Sequence, residues 1–134
     1  MLEAAAGHGH PIDRELIIVV LNNEACTLQQ LEDHAKALSY VEAIIYQIQS
    51  FLEEEHVGEL MASLKQFCPR TALESLTAKA HLLTTYLDRQ QDLGLYLLRF
   101  SGLQALTGDF EGAIESGKES LKAMKQLFLV CQLL

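Results

Sequence analysis

The sequence predicts an all-helical fold, and three observations carry this prediction. Apolar residues recur at steps of three and four along most of the chain, which is the spacing of one face of an α-helix. Only two prolines and eight glycines occur among the 134 residues, so few positions would interrupt a helix. β-Branched residues are thinly spread, which disfavours a β-sandwich. We therefore expect about six helices in one domain.

Composition limits the kinds of partner. Apolar residues make up 49% and charged residues 21% of the chain, as in folded proteins of one domain. The net charge of −8 argues against a nucleic acid or an anionic membrane surface as partner, and the apolar runs are too short to span a membrane. The three cysteines, Cys26, Cys68 and Cys131, cannot all pair within one chain, which indicates a reducing compartment and predicts the cytoplasm.

The first helix is expected over residues 14–30, with Asp13 as its N-cap. Residues 1–12 are interpreted as a flexible lead-in, so the domain should cover residues 13–134. A strand through residues 16–21 is the competing interpretation of this apolar run. The polar residues that follow contain no hairpin turn, and the apolar pattern continues through Ala25 and Leu28, which favours a helix.

The second helix should begin near Asp33, because the clearest amphipathic pattern of the chain follows it. This pattern comprises Ala37, Leu38, Val41, Ile44, Ile45, Ile48, Phe51 and Leu52. Gly58 predicts a break before a shorter third helix that Pro69 closes. The pattern thus predicts a first hairpin and the start of a second.

The last three helices are predicted from turn and cap residues. Thr71 and Glu74 form a capping-box pattern, which opens a fourth helix ending near residue 87. Asp92 or Gly94 should start the fifth helix, and Gly108 with Asp109 should end it and cap the sixth. Six helices with short links pair naturally as three antiparallel hairpins.

Residues 108–115 join a tight turn to an aromatic residue, Phe110, and a small helical residue, Ala113. This octet resembles the turn and second helix of a tetratricopeptide repeat, in which small residues let two helices cross closely. The same template fits residues 21–38, with Ala25 and Ala37 at the small positions and Glu32 where a glycine is usual.

The two matches can be superposed by placing Ala37 on Ala113, and we call this correspondence the repeat alignment. The spacing between the two alanines equals two repeats, each slightly longer than the family's usual ~34 residues. The middle hairpin, over residues 54–90, must therefore be irregular.

The resemblance implies a short right-handed superhelix, whose concave wall is built from the first helix of each hairpin. Such a wall would bind a peptide or helix of a partner protein, as a scaffold, an adaptor, or a chaperone or assembly factor. The residues expected on the wall are Val19, Asn22, Asn23, Cys26, Gln29, Leu95, Leu98, Arg99, Gly102 and Ala105.

The side chains of the wall indicate what it would bind. The amides of Asn22, Asn23 and Gln29 can bond the main chain of an extended peptide, or else face water or cap a neighbouring helix. Family members that hold acidic C-terminal peptides use Lys and Asn on the wall, where Leu98 and Gly102 stand in this chain. The resemblance therefore implies an apolar or amphipathic partner segment.

The C-terminal residues 127–134 are apolar on every face of a helix. Burial against the preceding hairpin would cover one face only. The remainder would fold into the groove, dock another subunit, or contact a further repeat of a longer array. Residues available for such a subunit contact are Leu127, Phe128, Leu129 and Val130.

No pattern in the sequence predicts an enzyme, a cofactor or a metal site. His8 and His10 offer only two ligands on the lead-in, and Glu53 with His56 is half of the di-iron pattern of helical bundles without its second half. The cysteines lack CxxC spacing, and no phosphate-binding glycine motif occurs. A helical-bundle enzyme or metal-binding protein remains the alternative to a non-enzymatic interaction module.

Overall fold

The computed structural model describes residues 11–65 and 80–133, and its regular structure there is entirely helical. The helices are α1 (Pro11–Gln30), α2 (His34–Leu52), α3 (Glu55–Lys65), α4 (Ala80–Leu106) and α5 (Phe110–Leu133). The all-helical prediction is confirmed for these residues, and the strand alternative for residues 16–21 is wrong, because they lie within α1. Cys68, Pro69, the Thr71 capping box and residues 1–10 lie outside the described residues.

Helix α1 begins at Pro11, earlier than the expected start at residue 14. A proline at the first position suits a helix, since its fixed φ is helical and its missing N–H would have no partner there. Residues 11 and 12, which the sequence assigns to the lead-in, are therefore part of the helical domain.

Two antiparallel hairpins form the body of the fold. Helices α1 and α2 make the first, α4 and α5 make the second, and α4 packs against α2 so that the hairpins stack. Helix α3 touches α2 and α4 at a few positions only. The described residues thus contain five helices and two hairpins, where six helices and three hairpins were expected.

Matching caps start the second helix of each hairpin. The Asp33 carboxylate accepts a hydrogen bond from the Lys36 backbone N–H at 3.3 Å. The Asp109 carboxylate accepts one from the Gly112 N–H at 3.0 Å. Each bond satisfies an amide at a helix N-terminus, as predicted for Asp109, and α2 begins next to Asp33 as expected.

The turns that precede these caps also have the same backbone hydrogen bonds. The Asp33 N–H donates to the Leu28 carbonyl and the Asp109 N–H donates to the Gln104 carbonyl, both at 2.8 Å. The residue before each aspartate is left-handed, with φ of 60° at Glu32 and 88° at Gly108. A left-handed residue after the helix, closed by such a bond, is the Schellman type of helix end. The unusual Glu32 therefore adopts the conformation that its glycine counterpart adopts.

The predicted break between the fourth and fifth helices is wrong, because α4 runs unbroken through residues 87–94. The Gln90 amide is buried and donates to the Ala123 carbonyl of α5 at 3.0 Å. The Ser120 hydroxyl donates to the Gly94 carbonyl at 2.7 Å. A Cβ at Gly94 would lie 2.7 Å from the Met124 methyl carbon. Gly94 thus permits the close approach of α5 and does not start a helix.

The break predicted at Gly58 is also misplaced. Helix α3 already begins at Glu55, so Gly58 lies within it, and the chain turns at residues 53–54. The Gly58 N–H donates to the Glu54 carbonyl at 3.1 Å, as in a continuous helix. A single glycine lowers helix stability but does not by itself end a helix.

Small residues lie at the crossing of each hairpin. Ala25 and Ala37 are fully buried in the same apolar cluster. The Ser101 hydroxyl donates to the Ala113 carbonyl at 2.5 Å, so α4 and α5 are also close at the small residue Ala113. The cluster around Ala25 and Ala37 also contains Val41, Ile45, Leu97, Leu103 and Ala123, and therefore joins both hairpins.

Candidate functional site

The candidate site is the groove between α1 and α4, the first helices of the two hairpins. We call it the α1–α4 groove and define it by the ten expected wall residues together with Arg14, Glu15, Asp88, Arg89 and Asp92. The groove is bridged by long polar side chains that reach from one helix to the other. Its geometry is therefore set by the side chains described next.

Arg99 on α4 gathers three side chains of α1. Its Nη1 donates to Asn22 Oδ1 at 2.7 Å, its Nε donates to Gln29 Oε1 at 3.1 Å, and its Nη2 lies 3.3 Å from Cys26 Sγ. Nη2 also donates to Gln29. We call these four residues the Arg99 cluster. Side chains from distant parts of the sequence thus meet here, and four of the ten expected wall residues lie together.

Apolar side chains are exposed on the same two helices. Val19 on α1 is 52% exposed and Leu98 on α4 is 59% exposed, and Leu95 is similarly open. Val19 lies three positions before Asn22 and Leu95 lies four before Arg99, which places them on the same helix faces as the Arg99 cluster. Leu98 directly precedes Arg99 and borders that face. The groove thus combines an uncovered apolar surface with a polar centre.

The other expected wall residues make fewer contacts across the groove. Asn23 is exposed, and its backbone carbonyl accepts a hydrogen bond from the Thr27 hydroxyl at 3.0 Å. Gly102 is exposed with open space beside its Cα, and Ala105 is half-buried. The Asn22 and Gln29 carbonyl oxygens already accept from Arg99, which was not foreseen, and they hold α1 and α4 together in this structure.

Ion pairs link the helices at the other end of the groove. Arg89 on α4 pairs with Glu15 on α1 and with Asp92 one turn further along α4, the latter at 2.7 Å. Arg14 on α1 pairs with Glu54, which follows α2. None of these pairings was predicted from the sequence, because a surface Arg or Glu gives no signal of a partner in a distant part of the chain.

A cavity of about 510 Å³ opens beside these ion pairs. This volume is within the range of sites that bind small molecules or side chains. Its lining is a mixture of charged, hydroxyl and apolar groups: Arg14, Glu15, Ile18, Phe51, His81, Thr84, Thr85, Asp88 and Arg89.

Partial burial perturbs Asp92 in the groove and Tyr96, one turn further along α4. Desolvation raises the pKa of Asp92 above its ordinary value of 3.8, although the Arg89 charge acts in the opposite direction. Desolvation also raises the pKa of the Tyr96 phenol, and the Asp92 charge adds to that effect. The charged form of Asp92 is therefore less favourable in the groove than in water.

The C-terminal residues expected to contact another subunit are only partly available. Val130 is buried with Phe51 and Tyr86, so its predicted place in a subunit contact is wrong. Leu127 is half-buried, whereas Phe128 and Leu129 are exposed. Burial against the preceding elements accounts for one face of this segment.

The described part of the chain contains neither a metal-binding cluster nor a membrane-spanning helix. No three His, Cys, Asp or Glu side chains there converge in a way that could hold a metal ion. No helix there has both the length and the apolar character needed to cross a bilayer. His8 and His10 lie outside the described residues.

Comparisons with protein-family models, with curated proteins and with solved structures found no match to this chain.

Proposed function

We propose that this protein is a non-enzymatic interaction module whose α1–α4 groove binds a peptide or helix of a partner protein. The observation that carries the proposal is the meeting of two sets of wall residues, one on α1 and one on α4, around Arg99. Exposed leucine and valine side chains flank this centre and offer the apolar surface that a partner segment would cover.

The charges of the groove favour a partner with little net charge. Arg14, Arg89 and Arg99 each have a partner within the chain, and Glu15 and Asp92 balance the charge of Arg89. A peptide carboxylate would have to displace one of these partners and desolvate the arginine again. An apolar or amphipathic segment avoids this cost, so we propose such a segment as the ligand.

The two hairpins also support a repeat of the tetratricopeptide type. Their turns, caps and small-residue crossings correspond under the repeat alignment. We propose that they are two units of a short right-handed superhelix with the groove on its concave side. A scaffold or adaptor role, or a role as chaperone or assembly factor, follows from such a groove.

The test is selection of binding peptides on the purified full chain from a random peptide library. We expect the selected peptides to be rich in apolar residues. Leu98→Glu should weaken their binding in a calorimetric titration by at least about tenfold, since it buries a charge against an apolar ligand. Tyr46→Glu, at an exposed site on α2, is the matched control and should bind as the unmodified chain does.

Selection of no peptide would overturn the proposal. Equal losses of affinity in Leu98→Glu and Tyr46→Glu would also overturn it, because the binding surface would then lie elsewhere. Circular dichroism of both variants shows that the fold is retained, as expected for exposed positions.

A further inference from the structure

Helix α5 carries an apolar stripe on its outer face. Phe110, Ile114, Leu121 and Phe128 are all more than half exposed, and Leu121 is 72% exposed. Together with the half-buried Gly117 and Met124 they follow each other at alternating steps of four and three residues. This is the spacing of a seam between two packed helices. We call these six residues the α5 stripe, and it shares no residue with the α1–α4 groove.

In the first hairpin, the corresponding face of α2 packs against another helix. Under the repeat alignment, Ile114, Leu121 and Phe128 correspond to Leu38, Ile45 and Leu52 on α2. Those three pack in the apolar clusters that α2 forms with α4, and Ile45 is only 6% exposed. The face of α2 that α4 covers therefore corresponds to a face of α5 that is exposed in the described part of the chain.

A head-to-tail stack of copies would bring α1 of one copy onto α5 of the next, and α1 does not suit that role. Helix α4 contributes Phe100 and Leu103 to the cluster around α2. Their counterparts on α1 are Glu24 and Thr27, which are exposed and polar. Covering the stripe with this face would desolvate a carboxylate without a partner.

We propose that the α5 stripe docks the same stripe of a second copy of this chain, with the two α5 helices antiparallel. With the two-fold axis near residue 119, Phe110 meets Phe128 of the second copy, and Ile114 lies opposite Met124, whose side chain packs over Gly94 of α4 at the edge of the seam. Leu121 then lies opposite Gly117, where the α5 backbone is half-buried beside Ser101 of α4. A self-complementary contact of this kind closes as a dimer and does not extend into a filament.

The charges beside the stripe favour the same arrangement. Glu111 and Glu115 lie in the first half of α5, and Lys122 and Lys125 lie in the second half. In the antiparallel register Glu111 meets Lys125 of the second copy, twice by symmetry, while Glu115 and Lys122 lie further from the seam and Lys118 faces Lys118 once at the axis. A parallel pairing would place like charges side by side.

Existing ion pairs on α5 compete only weakly with these contacts. Lys118 lies 3.6 Å from Glu115 and Lys122 lies 3.2 Å from Glu119, and all four side chains are more than half exposed. Exposed pairs of this kind add little stability.

The first experiment is sedimentation equilibrium of the full chain. We expect a mass of twice the 14.9 kDa of one chain, falling to a single chain on dilution. Leu121→Glu should raise the dimer dissociation constant at least about a hundredfold, because it buries two carboxylates at the seam. Tyr46→Glu, on α2, is the control and should remain dimeric. A single-chain mass at all concentrations, or a dimer unaffected by Leu121→Glu, would overturn the proposal.

A charge exchange tests the antiparallel register. The double variant Lys122→Glu with Lys125→Glu should dissociate, since acidic side chains then face each other where Glu111 met Lys125. Adding Glu111→Lys and Glu115→Lys should restore the dimer. Failure of the fourfold variant to recover the dimer would overturn the antiparallel pairing, and circular dichroism checks that each variant is helical.

Discussion

Glu32 is a residue whose backbone conformation is unfavourable for its type. Its φ of 60° lies in the left-handed region, where a side chain costs about 1 kcal/mol that glycine does not. We expect Glu32→Gly to raise the free energy of unfolding by about 1 kcal/mol, as measured by urea denaturation.

Gly108 provides the matched reverse test. It has φ of 88° in the corresponding turn, and no atom lies within 4 Å of a Cβ built there. Gly108→Ala should therefore destabilise the chain by about 1 kcal/mol through backbone strain alone. Opposite signs for the two variants are the expected result, and a loss of stability in Glu32→Gly would contradict the assigned turn.

Asp92 should make the folded protein less stable as the pH rises, which is the opposite of the usual effect of an aspartate. Because its pKa is raised in the folded state, the folded protein takes up this proton at a higher pH than the unfolded chain does. Its contribution to stability therefore falls as the pH rises from the ordinary pKa of 3.8 through the raised value. Asp92→Asn should melt at a higher temperature than the unmodified chain at pH 7.

The difference in melting temperature should shrink as the pH is lowered toward the ordinary pKa of the aspartate. The Arg89 guanidinium keeps Glu15 as a partner in this variant, so removing the charge leaves no unpaired cation. Glu42→Gln, which removes a carboxylate at an exposed site on α2, is the control for the loss of one negative charge. A lower melting temperature for Asp92→Asn at pH 7 would show that the ion pair with Arg89 outweighs desolvation.

At the level of single helices, the crossing of α1 and α2 depends on small side chains. Ala37 is fully buried in the cluster that also contains Ala25. Ala37→Leu would force the helices apart or into strained rotamers, and should cost about 2 to 3 kcal/mol of unfolding free energy. The measurement is thermal and urea denaturation followed by circular dichroism.

Ala35→Leu is the control for this prediction. Ala35 is an exposed residue in the same turn of α2, so the same substitution there should change stability by less than about 0.5 kcal/mol. Equal effects of the two substitutions would show that helix propensity, and not the crossing, sets the cost.

The sequence predicts some elements well because their signals are local. Helix α2 is covered on one side, so its apolar pattern appears directly, and Asp33 and Asp109 cap the helices that follow them. Residues 88–94 are helical because of contacts with a distant part of the chain, so their local sequence misleads. They are mostly polar and end in a glycine, which favours a loop, but Gln90 and Gly94 have partners on α5 that local rules cannot reveal.

The prediction of the candidate site depends on the repeat alignment. This alignment places Asn22 and Arg99 on matching helices, and the two meet in the structure. The contact itself was not predicted, nor was the pairing of Arg89 with Glu15, because both depend on the reach of flexible side chains across two helices. The sequence pattern therefore predicts which helix faces meet, and the structure shows which side chains on those faces pair.

In the molecule as a whole, the helices are joined in two different ways. Helices α4 and α5 approach closely through small residues, and buried polar groups such as Gln90 and Ser120 bond backbone carbonyls across the contact. Helices α1 and α4 are joined by long side chains at the groove. Because such contacts are partly exposed, the groove should be the more easily opened of the two junctions.

Arg99→Met tests this difference. The variant loses the hydrogen bonds to Asn22 and Gln29, which remain accessible to water, so we expect a loss of about 1 to 2 kcal/mol. Hydrogen exchange followed by mass spectrometry should show faster exchange in α1, while α4 and α5 keep their protection. Lys36→Met, at an exposed site on α2, is the control for removing a positive charge. Faster exchange in α5 as well would mean that Arg99 stabilises the whole stack and not the groove alone.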